Sequence, residues 1–394
     1  MSKAVFFSLP AHGHVNPSLS LVEELVKRGE QVIYYTSPEF KHRVEQTGAQ
    51  FRTYGKKLEP LSRELEGKHG NLIYISACFL QMCQIIIPEA LTQLEADQPD
   101  YILYDSMALW GKIIAAKMNL PAVCSITTFV MGAGQLPNPQ ILFSLIKDIA
   151  HIGQFNDLSK QVAREFDIAP ISLKEMFTNK ADLNIVYTSA FFQPNSHLLK
   201  DGYKFIGPSI GARNDKDSLD FPENKPLIYI SLGTIFNNNL EFYNECFKAF
   251  ENTEYQVVLS VGKMINMAAL KNVPANFIVR RHVPQLEVLQ RASLFITHGG
   301  MNSVNEALFF DVPLIVIPMS ADQPIVASRV KELGAGIYLE KRRANHRNLK
   351  RFSKLILADE SYKNNSWIIG DSFRKSGGYR QGVDEIFAYK NLSL

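Results

Sequence analysis

Apolar and polar positions along the chain alternate between short hydrophobic runs and stretches of helical periodicity. Ala4 to Leu9 is apolar apart from Ser8 and predicts a buried strand. A loop is expected from Pro10 to Pro17. Leu19, Val22, Leu25 and Val26 then recur at helical spacing, which predicts a helix from Ser18 to Arg28 stopped by Gly29. Gln31 to Thr36 returns to a strand pattern. Strand, helix and strand in that order predict a parallel sheet. The alternation continues with a long helix from Asn71 to Glu95, a strand from Tyr101 to Tyr104, a helix from Met107 to Met118 and a strand from Ala122 to Ile126. Pro139 to Phe177 reads as helical and irregular. Leu183 to Tyr187 and Tyr203 to Ile206 are the last strands of this half.

Residues 207–225 break the pattern. They hold Pro208, Gly211 and Pro222 among charged and polar residues, with Pro226 at the end, which is the composition of a linker. A second alternation follows. Strands are expected at Leu227 to Ser231, Gln256 to Ser260, Phe277 to Arg280, Leu294 to Thr297 and Leu314 to Ile317. Helices are expected at Leu240 to Glu251, Ile325 to Leu333, His346 to Ala358 and Tyr362 to Lys375. Gly377-Gly378 sets off a last short helix ending near Tyr389. The expected division is a domain over 1–206, the linker over 207–225, a second domain over 226–376 and a terminal helix over 377–394. Each domain is expected to be a doubly wound α/β layer structure, with a ligand cleft at the carboxyl ends of the strands.

Composition narrows the function classes. At 394 residues, 46% hydrophobic and 21% charged, the chain can build more than one core. A net charge of +3 gives no ground for a nucleic-acid or anionic-membrane partner. The four cysteines, Cys78, Cys83, Cys124 and Cys246, have neither metal-ligand nor disulfide-framework spacing and read as buried thiols. No uninterrupted apolar run approaches the roughly 18 residues of a membrane span. Ala4 to Leu9 is too short for a signal-peptide core, so a cytoplasmic location is expected.

The chemistry is concentrated in the second half. The strand ending at Thr297 leads through His298-Gly299-Gly300 into a helix opened by Asn302 and Ser303. Such a turn presents unpaired N–H groups at the positive end of a helix, which is an anion site and suits phosphate. Glu306, one turn beyond Asn302, offers a carboxylate for ribose hydroxyls, so a nucleoside diphosphate is the expected ligand. Each feature has a plainer reading as well. Ser303 and Glu306 could form a capping box, and Asp322 could start the next helix, with Pro324 in its first turn. Ser231-Leu232-Gly233-Thr234, after the first strand of this half, allows close backbone approach and offers a hydroxyl. In the first half, Ala11-His12-Gly13-His14-Val15-Asn16-Pro17 follows a strand end, and Asp105 follows another. A histidine backed by a carboxylate is a suitable base at neutral pH, and these residues leave His12 and His14 both open.

Pro284-Gln285, the His-Gly-Gly-x-Asn-Ser-x-x-Glu run from His298 and the later Asp322-Gln323 resemble the donor signature of family 1 glycosyltransferases, of the bacterial macrolide and flavonoid type. The resemblance spans nearly the whole chain and implies the GT-B fold, with the final helix crossing back onto the N-terminal domain. It implies that His298 contacts the pyrophosphate. Gly300, Asn302 and Ser303 would hold phosphate oxygens, Glu306 the ribose, and Asp322 and Gln323 the sugar hydroxyls. Ser231, Gly233, Thr234, His282, Val283 and Gln285 join the donor-site expectation. Where plant members and some bacterial ones stack a tryptophan on the base, this chain has His282, with Arg281 beside it. The family's Gly-His-x-Asn-Pro pattern matches Gly13 to Pro17 and selects His14 as the base, with Asp105 as its partner.

The expected activity is inverting transfer of a sugar, glucose above others, from a UDP-sugar to a hydroxyl of a small apolar acceptor such as a phenol, flavonoid or macrolide. No cofactor or metal is expected. Asp215-Lys216-Asp217 has the form of a metal motif but lies in the polar linker and reads as a solvated charge cluster. Phe79, Thr127, Thr128, Phe129 and Met131 are candidates for the acceptor pocket. A UDP-sugar epimerase of the same architecture, or a non-catalytic nucleotide-sugar-binding protein, would share the cradle without needing a His14–Asp105 pair.

Overall fold

The computed structural model describes residues 2–58, 61, 71–132, 145–199, 201–211, 219, 225–320 and 322–393. Asp215-Lys216-Asp217 and residues 139–144 of the irregular region lie outside the described residues. The chain divides into two compact units, Met1–Gly211 with Ser376–Leu394, and Ala212–Lys375.

The first unit is built on a parallel sheet of β1 (Lys3–Phe7), β2 (Gln31–Thr36), β3 (Gln50–Thr53), β4 (Tyr101–Asp105), β5 (Ala122–Ile126), β6 (Leu183–Val186) and β7 (Tyr203–Phe205). The spatial order is β3-β2-β1-β4-β5-β6-β7. Its helices are α1 (His12–Lys27), α2 (Lys41–Gln46), α3 (Leu72–Asp97), α4 (Leu109–Met118), α5 (Ile152–Phe166) and α6 (Leu173–Phe177). Because strand side chains alternate between faces, Val5 and Phe7 join one core with α3, α4 and α5. Ala4 and Phe6 join a second core with α1 on the other face. Both faces are covered, which is why these strands read as near-continuous apolar runs. α3 is long and apolar enough by composition to cross a membrane, and Ile73, Leu80, Cys83 and Ile87 along it are buried in the first core.

The second unit repeats the plan with β8 (Leu227–Ser231), β9 (Gln256–Ser260), β10 (Phe277–Arg280), β11 (Ala292–Thr297), β12 (Leu314–Val316) and β13 (Gly336–Tyr338). These are parallel in the order β10-β9-β8-β11-β12-β13. The helices are α7 (Leu240–Phe250), α8 (Gln285–Arg291), α9 (Met301–Phe309), α10 (Gln323–Glu332), α11 (His346–Ala358) and α12 (Glu360–Lys375). α13 (Gly378–Ser393) then packs on the first unit, where its Val383 and Ile386 are buried with Leu21 and Leu25 of α1.

Four findings differ from the sequence reading. α1 begins at His12 rather than Ser18, with Pro17 inside it. Gly13 and Pro17 read as breakers, but burial of Val15 and anchoring of His14 outweigh local propensity. β3, α2, α8 and β13 were not anticipated, being three to seven residues long. α13 is longer than the short helix expected and runs to Ser393. Residues 207–211, read as linker, fold with the first unit, Gly207 donating its N–H to the Thr188 carbonyl at 3.0 Å.

Candidate functional site

In each sheet the strand order reverses once, between β1 and β4 in the first unit and between β8 and β11 in the second. Ligands of open α/β sheets bind at the carboxyl ends of strands at such a reversal. The chemistry-bearing residues of the sequence stand at these two points.

At the first reversal, α1 starts directly after the loop that follows β1, so His14 falls in its first turn. Asp105 is the last residue of β4 and is fully buried. His14 Nδ1 lies 2.7 Å from Asp105 Oδ2, while Asp105 Oδ1 accepts the Met107 N–H at 2.8 Å. A carboxylate only accepts, so Nδ1 carries the imidazole proton and Nε2 keeps the lone pair. Thr127, just past β5, brings its Oγ1 to 3.1 Å from the same Nδ1. His14 keeps 17% of its side-chain surface open. His12 points elsewhere, its ring edge-on to Phe40 at 4.9 Å. Of the two histidines that the residues alone left open, the one on the carboxylate is His14.

At the second reversal, His298 follows β11 and is packed between two glycines. A Cβ on Gly233 would stand 2.5 Å from His298 Cε1, and one on Gly300 would stand 2.6 Å from His298 Nε2. Any larger residue at either position would displace the ring. Gly299 between them has φ +87°, a left-handed conformation that side chains disfavour. Desolvation lowers the His298 pKa from 6.5 to about 4, so the imidazole is neutral at pH 7 and donates through one nitrogen. α9 opens with Gly300 as N-cap and no capping side chain, which puts Asn302 and Ser303 in its first turn. Ser303 and Glu306 form no capping box, because the helix starts before Ser303. The helix N-terminus, its positive dipole end and His298 thus converge beside the Ser231–Thr234 turn.

Glu306 is 5% exposed and accepts a hydrogen bond from Gln285 Nε2 at 2.6 Å. Gln285, the first residue of α8, accepts in turn from the buried Tyr229 hydroxyl at 3.0 Å. The chain Tyr229–Gln285–Glu306 fixes the carboxylate from behind. Asp322 precedes α10 without capping it through its side chain. Gln323 accepts from the Met319 and Ser320 N–H groups at 2.8 and 3.1 Å, which fixes its Oε1. Ser231 accepts the Gly233 N–H at 3.3 Å, Thr234 and His282 are exposed, and Val283 is buried. Arg281 donates to the carbonyls of Lys263 and Ile265, which holds its guanidinium on the loop after β9.

The sequence pattern of the erythromycin biosynthesis protein CIII-like C-terminal domain matches residues 247–374. The NDP-glycosyltransferase YjiC of Bacillus subtilis is 37% identical over 98% of this chain and 97% of its own length. The uncharacterized UDP-glucosyltransferase YojK of the same organism is 35% identical over 98% of this chain and 97% of its own. The chain is a family 1 glycosyltransferase. The solved glycosyltransferase of kitacinnamycin superposes with a TM-score of 0.85 at 26% identity, covering 98% of this chain and 99% of that one. The calicheamicin glycosyltransferase CalG4 does so at 0.82 and 26%, covering 99% and 98%. The two parallel-sheet units are those of the GT-B fold.

The residues expected on the acceptor side of this glycosyltransferase have different surroundings. Thr127 is buried against His14, and Phe79 is buried in α3 within the first core. Phe129 is 3% exposed and packs on Phe192 with ring centroids 5.4 Å apart. Thr128 Oγ1 donates to the Phe129 carbonyl at 3.3 Å, and Met131 is half-buried. Among the described residues, no three His, Cys, Asp or Glu side chains gather as metal ligands. Sequence reasoning missed Tyr229 because strand alternation marks only which face a residue takes, not the partner its hydroxyl meets.

Proposed function

We propose that the enzyme transfers glucose from UDP-glucose to a hydroxyl of a small apolar acceptor, a phenol, flavonoid or macrolide, with inversion at the anomeric carbon. The observation that carries this reading is the 2.7 Å pair of His14 Nδ1 and buried Asp105. His14 Nε2 takes the acceptor's proton as its oxygen bonds to the anomeric carbon. The bond from that carbon to the diphosphate oxygen breaks, its electrons leave with UDP, and an α-linked donor gives a β-glycoside. Asp105 stabilises the imidazolium that forms. The α9 N-terminus and neutral His298 receive the diphosphate, and Glu306, braced by Gln285, takes the ribose. The relative named as a UDP-glucosyltransferase supports the donor, and the two natural-product transferases support a small-molecule acceptor. Four buried, unbridged cysteines suit a reducing cytoplasm.

The test incubates the protein with UDP-glucose and a panel of phenolic and macrolide acceptors in EDTA, following UDP release and product mass. Acceptor-dependent UDP and a glucosylated product are expected. No UDP with any acceptor would sink the reading, and an isomerised sugar nucleotide would replace it with epimerisation. Activity that vanishes in EDTA and returns with a divalent cation would overturn metal independence alone.

A further inference from the structure

The turn after β8 is held by a side chain that the donor signature does not include. Asn237 is 1% exposed. Its Nδ2 donates to the carbonyls of Gly233 and Thr234, both at 3.1 Å. Two carbonyl acceptors fix which end of the amide is nitrogen, since Oδ1 in that place would face two oxygens. The Asn237 backbone is held as well, its carbonyl accepting from the Tyr243 hydroxyl at 2.8 Å. Gly262, in the loop after β9, lies so close that a Cβ on it would stand 1.9 Å from Asn237 Nδ2. Asn237 Oδ1 is buried with no hydrogen-bond partner among the described residues. A half-satisfied buried amide works against folding, so its contribution lies in what it holds.

A trans peptide directs its C=O and N–H oppositely. Turning the Gly233 and Thr234 carbonyls toward Asn237 therefore turns the Thr234 and Ile235 N–H groups away from it together. Neither N–H enters a backbone hydrogen bond among the described residues. Successive N–H groups facing one way form an anion-binding concavity. Gly233 of the same turn packs on His298, so these amides adjoin the imidazole that faces the cradle.

We infer that Asn237 is a positioning residue of the donor site, aiming the Thr234 and Ile235 N–H groups at the diphosphate of the donor. The inference rests on the nucleotide-sugar reading above. Calorimetric titration with UDP and steady-state kinetics with UDP-glucose would compare the intact enzyme with Asn237→Ala, Asn237→Asp and Gly262→Ala. Asn237→Ala is expected to raise the UDP Kd and the donor KM about 10-fold, leaving the acceptor KM unchanged. Asn237→Asp presents oxygen to both carbonyls and is expected to lose at least as much. Part of that loss should return at low pH, where a protonated carboxyl can donate one bond, and Asn237→Ala should show no such return. Gly262→Ala displaces the amide without removing it and is expected to act in the same direction, which keeps the test open should Asn237→Ala fail to fold. UDP affinity within twofold of the intact enzyme in the folded variants overturns the inference, as does an equal rise in donor and acceptor KM. An intact enzyme that binds no UDP overturns the donor reading and this inference with it.

Discussion

His14 and His298 are the same side chain given two tasks by their neighbours. His14 has a buried carboxylate on Nδ1, which the proposed role of base requires. Replacing it with alanine is expected to lower kcat by about 10² to 10⁴ and to leave UDP affinity, measured by calorimetry, unchanged. A comparable loss of UDP binding would show that His14 serves the donor instead. His298 has no such carboxylate as a cause of its shift: desolvation alone holds its pKa down to about 4. The unfolded value is 6.5, so between about 4 and 6.5 the unfolded chain binds more protons than the folded one. Stability from this group is therefore complete above pH 6.5 and is lost progressively as pH falls toward 4. Denaturant midpoints across that window should fall with pH more steeply for the native enzyme than for His298→Gln. Parallel slopes would remove His298 as the source.

Two helix starts decide the site, and they were unequally legible. For α9 the signals agree: a strand pattern ends at Thr297, glycines follow, and Asn302 and Ser303 open a helical run. A buried strand followed by a glycine turn into a helix was readable there from local pattern alone. Gly300 adds a prediction at this scale. A methyl group at Gly300 would meet His298 Nε2 at 2.6 Å, so Gly300→Ala should push the ring out of its place. UDP affinity should fall about 10-fold or more, with kcat at saturating donor less affected. Unaltered UDP titration would mean that the ring moves freely. For α1 the local signals misled, because Gly13 and Pro17 read as a loop while the helix starts at His12. What holds that turn is His14 on Asp105, 91 residues away in sequence, and no local pattern carries such a contact. The same holds for Tyr229 behind Gln285 and for Asn237 behind the Gly233 turn. The family motif supplies the residues expected to face a ligand, and the residues that hold them emerged only with the fold.

At the scale of the molecule, the chain leaves the second unit at Lys375 and closes on the first through α13. Val383 and Ile386 of α13 are buried against that unit, Asp384 and Glu385 pair with Arg28 and Lys204, and a further charged cluster lies near its end. Lys390 Nζ lies 2.8 Å from Glu30 Oε1, and the Tyr101 hydroxyl donates to Glu30 Oε2 at 2.8 Å. Glu30 is only 7% exposed. A buried ion pair adds little against an apolar replacement, but removing one partner strands the other charge. Lys390→Met should therefore destabilise the first unit by about 3 kcal/mol, because Glu30 would be left with a single hydroxyl donor. Glu30→Gln combined with Lys390→Met should recover most of that loss, since no charge remains to be stranded. The two tryptophans allow the measurement: Trp110 is fully buried in the first unit, whereas Trp367 of the second is 54% exposed. The red shift of emission on denaturation thus reports mainly on the first unit, and adding UDP should stabilise the second by mass action. If the double variant melts no later than Lys390→Met, then no stranded Glu30 charge lies behind the loss, and α13 is held by its apolar face and by the Asp384 and Glu385 pairs with Arg28 and Lys204.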